Sequence, residues 1–360
     1  MIDRRHLLAA GAALGLIPAG ARAAPSLGPD NPVVDAFVKT QAFQGVVLLG
    51  RQGTPTYARA FDYADIEAGR PATLDTAFGV ASISKWLTTI TVLRLVERGA
   101  LDLDAPITTW LPAYRADTGA KVTLRRLLSN SSGVPNLFNA AAKADPTLMS
   151  RDVSTAEGLK LFCQGDLIFE PGARFDYALT NWMIVLAVVE AATGRPFREA
   201  MRAITLDPLG LRATEAGAEI AAAPATAASY RTVEPPVRWV SPRFSIMAAG
   251  GGYYSTAADL LRAAHLVFDT GFLAPASLRR LTTIEVASDS YALGGRVRTL
   301  TIAGQAHTAG WETGNTAGFR SLLGHRLDTG ETVVILNNTA ISQKTLDLFA
   351  DALFGAVTPA

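Results

Sequence analysis

The chain is poor in the residues that build metal centres, disulfides and nucleic-acid surfaces. Of 360 residues, one is cysteine and four are histidine. A single cysteine excludes an internal disulfide, and Cys163, next to Phe162, reads as a small buried hydrophobe and not as a nucleophile. His6, His265, His307 and His325 show no ligand spacing, so neither a metal nor any other cofactor is expected. The formal net charge is +1, and the Arg125-Arg126 and Arg279-Arg280 pairs are isolated. A nucleic-acid partner needs a concentrated basic surface, and none is expected here. No glycine-rich phosphate loop follows a strand. Beyond the first residues there is no apolar run of membrane-spanning length. Leu179 to Val189 is strongly apolar, but Glu190 ends it early, so it reads as a buried helix.

What is present begins with an export-like leader. Arg4-Arg5 precedes an apolar run from Leu7 to about Ile17, and Ala21-Arg22-Ala23 is a small-x-small cleavage signal. The paired arginines resemble a twin-arginine signal, with Asp3 and His6 at imperfect flanks. Residues 1–23 are therefore set aside as an export signal, and a periplasmic or secreted location is expected. Removing them takes away Arg4, Arg5, Arg22 and Asp3 and brings the formal charge to about −1.

The 49% hydrophobic content supports a sizeable core. Residues 31–43 pattern as a helix. Gly45 to Leu49 and Thr56 to Phe61 form a hairpin around Arg51-Gln52-Gly53. Near the other end, Arg320 to Gly324 and Glu331 to Leu336 flank Asp328-Thr329-Gly330, and 342–355 closes as a helix. Both ends thus carry strands beside a helix, and one antiparallel sheet joining them is the economical arrangement. The middle patterns as helices at 83–98, 122–129, 155–163, 180–193, 197–206 and 256–267. Residues 214–240 give weak signals and read as a surface excursion. The expected class is α+β. Residues 24–80 and 286–360 form the sheet part, residues 81–285 a mostly helical part, and the active site lies between them. Nothing advertises an oligomer seam, so a monomer is expected.

The chemistry centres on Ala81-Ser82-Ile83-Ser84-Lys85. Ser82 and Lys85 are three apart, which places them on one face of a helix that starts at the serine. A helix N-terminus favours a developing anion. A serine hydroxyl becomes a useful nucleophile only when a neighbour takes its proton, and a desolvated lysine can do so. The plain alternative is a capping serine and a solvated lysine. Small residues before Ser82 and the apolar Leu87, Ile90 and Leu95 weigh against it.

Several ordered segments extend the pattern. They are FGVASISKWLTT, ERGALDLDAPITTWLP, TLRRLLSNSSGVPN, FEPGARFDY, DPLGL, AAGGGYYSTAADL and GNTAGFRS. Over residues 34–355 the chain resembles the beta-lactamase-related serine hydrolases. These include class C beta-lactamases, D-alanyl-D-alanine carboxypeptidases, D-amino-acid peptidases and esterases. The resemblance implies a beta-lactamase/transpeptidase-like fold in which Ser82 is acylated and Lys85 and Tyr177 share proton transfer. It also implies an oxyanion hole from the Ser82 and Asn315 N–H groups. The implied partner is a small ester, amide or short peptide.

Two motifs depart from the family. After Tyr177 the family commonly has an asparagine two residues on, and here Leu179 stands there. Asn181 replaces it as a substrate contact only if the backbone adjusts locally. Counting back from Gly318-Phe319, the strand motif is Glu312-Thr313-Gly314, with a carboxylate where the family has lysine or histidine, and these three residues are expected to contact the substrate. Glu312 would repel a substrate carboxylate, attract an amine or pair with Lys85. His307-Thr308-Ala309-Gly310 is the wrong distance away. Trp311 and Phe319 line an acyl pocket or simply pack, and Asn130 to Gly133 is a structured loop near the cleft. These departures favour an esterase, amidase or unusual peptidase over a beta-lactamase or D,D-carboxypeptidase. They also leave open a binding or sensing protein that has lost turnover.

Overall fold

The computed structural model describes residues 26–145, 147–148, 153–217, 226–240 and 245–356. The leader expected over 1–23 lies outside the described residues. Among them no helix is long and apolar enough to cross a membrane.

Seven antiparallel strands form the main sheet: β1 (Ser26–Leu27), β2 (Gly45–Arg51), β3 (Thr54–Phe61), β4 (Arg296–Ile302), β5 (Gln305–Thr316), β6 (Phe319–Arg326) and β7 (Glu331–Asn337). Their order is β1-β3-β2-β7-β6-β5-β4. The two ends of the chain therefore meet at the β2–β7 seam, where Gly45 pairs with Asn337 and Arg51 with Glu331. The β2–β3 hairpin turns through Gln52 and Gly53 with φ of 48° and 75°. Both values are positive, as a turn matched to strand twist requires.

Helices cover both faces. The helices α1 (Pro32–Thr40) and α5 (Gln343–Leu353) lie on one side, where Val34, Phe43, Leu346 and Phe349 close a core over Val47, Leu322 and Ile335. The other side receives α2 (Ile83–Glu97) and α4 (Ala257–Asp269), with α3 (Leu179–Thr193) behind them. In α2, Ile83, Trp86, Leu87, Ile90 and Leu93 have no exposed surface. Each such side chain stabilises by about 1.5–3 kcal/mol on burial, and the helix is buried nearly all round, with Ser84, Lys85, Thr88, Thr89 and Thr91 included. The fold is the expected α+β class, a sheet flanked by helices.

The weakly patterned excursion is more firmly held than its composition indicates. Tyr230 is fully buried, and its hydroxyl accepts from the Ile66 N–H at 2.8 Å and donates to Glu67. The short strand Phe78–Gly79 joins Tyr253–Ser255 and Glu215–Ala216 in a second, three-stranded sheet. That small sheet delivers the chain to Ser82.

Candidate active site

The nucleophile segment is held on three sides. The Val80 N–H donates to the Tyr253 carbonyl at 3.0 Å, and the Val80 carbonyl accepts from Ser321 Oγ at 2.9 Å. Ala81 then takes φ of 46°, an uncommon conformation for a residue with a side chain. The turn leaves Ser82 at the N-terminus of the 15-residue α2. The Ser82 N–H makes no hydrogen bond among the described residues.

Ser82, Lys85 and Tyr177 converge. Lys85 Nζ donates to Ser82 Oγ at 3.0 Å and to the Gly250 carbonyl. Tyr177 donates its phenolic hydrogen to Ser82 Oγ at 2.6 Å. The lysine is 2% exposed. Its ammonium lies 4.9 Å from the Tyr177 ring centroid and 5.5 Å from that of Trp182, so two aromatic faces help to hold the charge. Lys85 does not pair with Glu312.

The cleft before Ser82 has a volume of about 450 Å³ and is bordered by Tyr177, Tyr291, Arg296, Glu312, Thr313 and Asn315. Gly314 does not border it, which corrects its expected place among the substrate contacts. A β-carbon there would lie 2.2 Å from the Val80 carbonyl oxygen and 2.1 Å from Ser321 Oγ, so glycine lets β5 run against the nucleophile segment. Trp311 borders the cleft, but its indole is tied down, donating to Asp347 at 2.9 Å and packing near Phe354. Phe319 is core, lying against Gly79 and Tyr254. His307 sits with Asp328 and Arg326 toward the far end of β5, about 17 Å from Glu312 at ~3.4 Å per residue.

Asn181 does not reach the cleft, which corrects its assignment as a substrate contact. It is buried, accepting from Ser132 Oγ at 2.6 Å and donating to Asn130 Oδ1 at 3.2 Å. The reason is its place in the first turn of α3, facing the 130–132 loop. That loop in turn takes the Asp176 N–H on the Asn130 carbonyl at 2.8 Å. Asn181 therefore helps to fix the loop that carries Tyr177. Asn181→Ala strips two buried partners, and a loss of about 1–3 kcal/mol is expected in denaturant unfolding. A neutral result would mean that this network does not support the site.

Tyr291 and Arg296 do not stand out in the sequence. Tyr291 is buried 5.1 Å from the Phe175 ring and 6.5 Å from that of Tyr177. Burial pushes its phenol well up. Arg296 lies over the Tyr291 ring at 5.3 Å. The available signal was Tyr291-Ala292-Leu293-Gly294-Gly295, an aromatic residue just before paired glycines. A β-carbon at Gly294 would strike Thr89 Oγ1 at 2.1 Å, so this segment lies directly on α2.

Cys163 is fully buried with its thiol toward the Thr180 carbonyl, and burial raises its pKa strongly. It behaves as the packing residue expected.

The Beta-lactamase family model matches residues 31–355. The chain is 35% identical over 279 residues to Esterase EstB of Burkholderia gladioli, covering 68% of this chain and 70% of that protein. It is 24% identical to Putative penicillin-binding protein PbpX of Bacillus subtilis (strain 168), over 87% of this chain and 76% of the relative. A penicillin binding protein from Bacillus halodurans superposes with a TM-score of 0.77 at 24% identity, covering 91% of this chain and all of that one. The chain belongs to the Beta-lactamase family, and it is a serine hydrolase of the beta-lactamase-related group.

Proposed function

We propose that the protein is an exported hydrolase that cleaves a small ester or amide through an acyl-enzyme on Ser82. The observation that carries this reading is the convergence of Lys85 Nζ and the Tyr177 hydroxyl on one serine oxygen, at 3.0 and 2.6 Å. Ser82 Oγ attacks the substrate carbonyl carbon, and its proton passes to the Lys85–Tyr177 pair, which accepts it in the form that has already given up one proton, a Tyr177 phenolate beside the Lys85 ammonium. The oxyanion is stabilised by the Ser82 and Asn315 N–H groups. The tetrahedral intermediate collapses, the carbon–oxygen or carbon–nitrogen bond breaks, and the pair returns the proton to the leaving group. Water then repeats the sequence on the Ser82 ester and releases the acid. An ester is favoured because the 35% identical relative is named an esterase and because Glu312 replaces the cationic or hydrogen-donating residue that suits a beta-lactam carboxylate.

Intact-mass measurement tests the reading. The protein is exposed to activated esters, D- and L-aminoacyl amides, a D-alanyl dipeptide mimic and a beta-lactam, with Ser82→Ala as control. A transient adduct on the wild type and none on the control is expected, with the ester turned over fastest. Folded wild type that yields neither adduct nor product would favour a binding protein that has lost turnover.

A further inference from the structure

Glu312 is the most unusual group in the cleft. It is 5% exposed, yet it borders the space in front of Ser82. Its carboxyl lies against the Gly295 backbone: a β-carbon at Gly295 would fall 1.9 and 2.0 Å from its two oxygens. Gly295 thus leaves room for this side chain, which a β-carbon there would displace. Among the described residues Glu312 has no hydrogen-bond partner and no ion pair. Four titratable or charged side chains border the same space or the serine. Lys85 is engaged by Ser82 and Gly250, Tyr177 by Ser82, Tyr291 is buried, and Arg296 lies over the Tyr291 ring. Only Arg296 pulls on the Glu312 charge, and burial outweighs it, pushing the carboxyl well above the usual glutamate range. An ionised carboxylate with no donor is costly in such a place, whereas a protonated one is tolerated and becomes a hydrogen-bond donor.

We propose that Glu312 is a specificity residue, an uncharged carboxylic acid that donates to a neutral acceptor on the substrate and disfavours substrates bearing a charge there. The family's cation at this strand position would attract a carboxylate, whereas a neutral acid replaces charge attraction with a single directed donor. The substrate class that follows is an ester or amide whose group beside β5 is uncharged and offers a carbonyl or ether oxygen. An ammonium group gains nothing from a neutral acid and must shed its water to enter. A carboxylate can accept the same donor, but it must shed more water than a neutral oxygen, and Arg296, the cation bordering that space, is already taken up with the Tyr291 ring. This inference rests on the Ser82 hydrolase reading.

The test has two arms. Infrared spectra of wild type and Glu312→Gln at neutral pH are compared, and a protonated-carboxyl carbonyl band present in the wild type and absent from the variant is expected. Its absence from the wild type overturns the proposal. The second arm uses three p-nitrophenyl esters of matched length whose acyl chains end in a methyl ester, a carboxylate or an ammonium group. Wild-type kcat/KM is expected to be at least tenfold higher for the methyl ester than for either charged partner. Glu312→Lys is expected to shift the carboxylate-to-neutral ratio upward at least tenfold. Preference of the wild type for the ammonium ester would mean an ionised Glu312. Preference for the carboxylate ester would assign selectivity to Arg296. Either result, or an unmoved ratio in Glu312→Lys that melts as the wild type does, overturns the proposal. If no ester is hydrolysed in a Ser82-dependent way, the hydrolase reading fails while the infrared arm still decides the state of Glu312.

Discussion

Ser82→Ala is expected to lower kcat/KM for any substrate the protein turns over by at least ~10³-fold, and Lys85→Ala by a similar factor. The double variant should be no worse than the weaker single one. Ser82 Oγ and Lys85 Nζ share one hydrogen bond at 3.0 Å, and on the proposed mechanism the two act as a unit in the attack. Residues that act as a unit give grossly non-additive losses. The two substitutions differ in what they do to the fold. Ser82 lies at the helix start with no side-chain cap bond, so its loss should barely move the melting temperature. Lys85 is 2% exposed and holds the Gly250 carbonyl, so its removal leaves a buried acceptor unpaired at a cost of about 1–3 kcal/mol. Steady-state kinetics beside thermal melts read both effects. A Lys85→Ala protein that keeps activity within tenfold, or a double variant whose losses multiply, would remove Lys85 from proton transfer.

The replacement of the family asparagine by Leu179 bears on how that lysine is oriented. A β-carbon built on Gly250 would lie 2.7 Å from Leu179 Cδ1, so the leucine packs on the same glycine whose carbonyl receives the ammonium. An asparagine there would offer the lysine a side-chain oxygen, and leucine offers none. In its place are a backbone carbonyl and two aromatic faces. Backbone and ring partners are less mobile than an amide side chain. The lysine thereby reaches Ser82 Oγ without the motif residue.

Much of this arrangement was legible in the chain, and the exceptions share a cause. Terminal hairpins and amphipathic or wholly apolar helices announce themselves through short-range periodicity. The seam between Gly45–Arg51 and Glu331–Asn337 could be anticipated because both ends carried the same strand pattern. Ser82 and Lys85 are visible because one helical turn brings them together. Asn181 was misplaced because its direction depends on contact with Asn130 and Ser132, 51 and 49 residues away. Tyr291 and Arg296 do not stand out for the same reason: only folding sets 291–296 against α2 and β5. The Glu312 substitution could be found by counting from Gly318, but its burial against Gly295 is a tertiary fact. The excursion around Tyr230 looked loose because its anchor, a hydroxyl held by Ile66 and Glu67, lies some 160 positions earlier.

Tyr177→Phe is expected to lower kcat/KM by about 10²–10⁴-fold for an ester with a poor leaving group such as an alkoxide. For a p-nitrophenyl ester the loss should be at least tenfold smaller. The phenol donates to Ser82 Oγ at 2.6 Å and stands at the mouth of the cleft, 43% exposed, where an incoming substrate passes. That position suits a proton carrier between the serine and the departing oxygen. An alkoxide cannot leave without a proton, whereas p-nitrophenolate can, so the penalty for losing the carrier depends on the leaving group. Phenylalanine keeps the ring that lies 4.9 Å from the Lys85 ammonium and its edge-on contact with Tyr291, so the cleft should keep its shape. A merely structural Tyr177 would give a loss independent of the leaving group. Kinetics on a graded series of phenyl and alkyl esters separate the two cases. A steeper dependence of rate on leaving-group pKa in the variant assigns the proton to Tyr177, and an unchanged slope leaves Lys85 as its sole carrier.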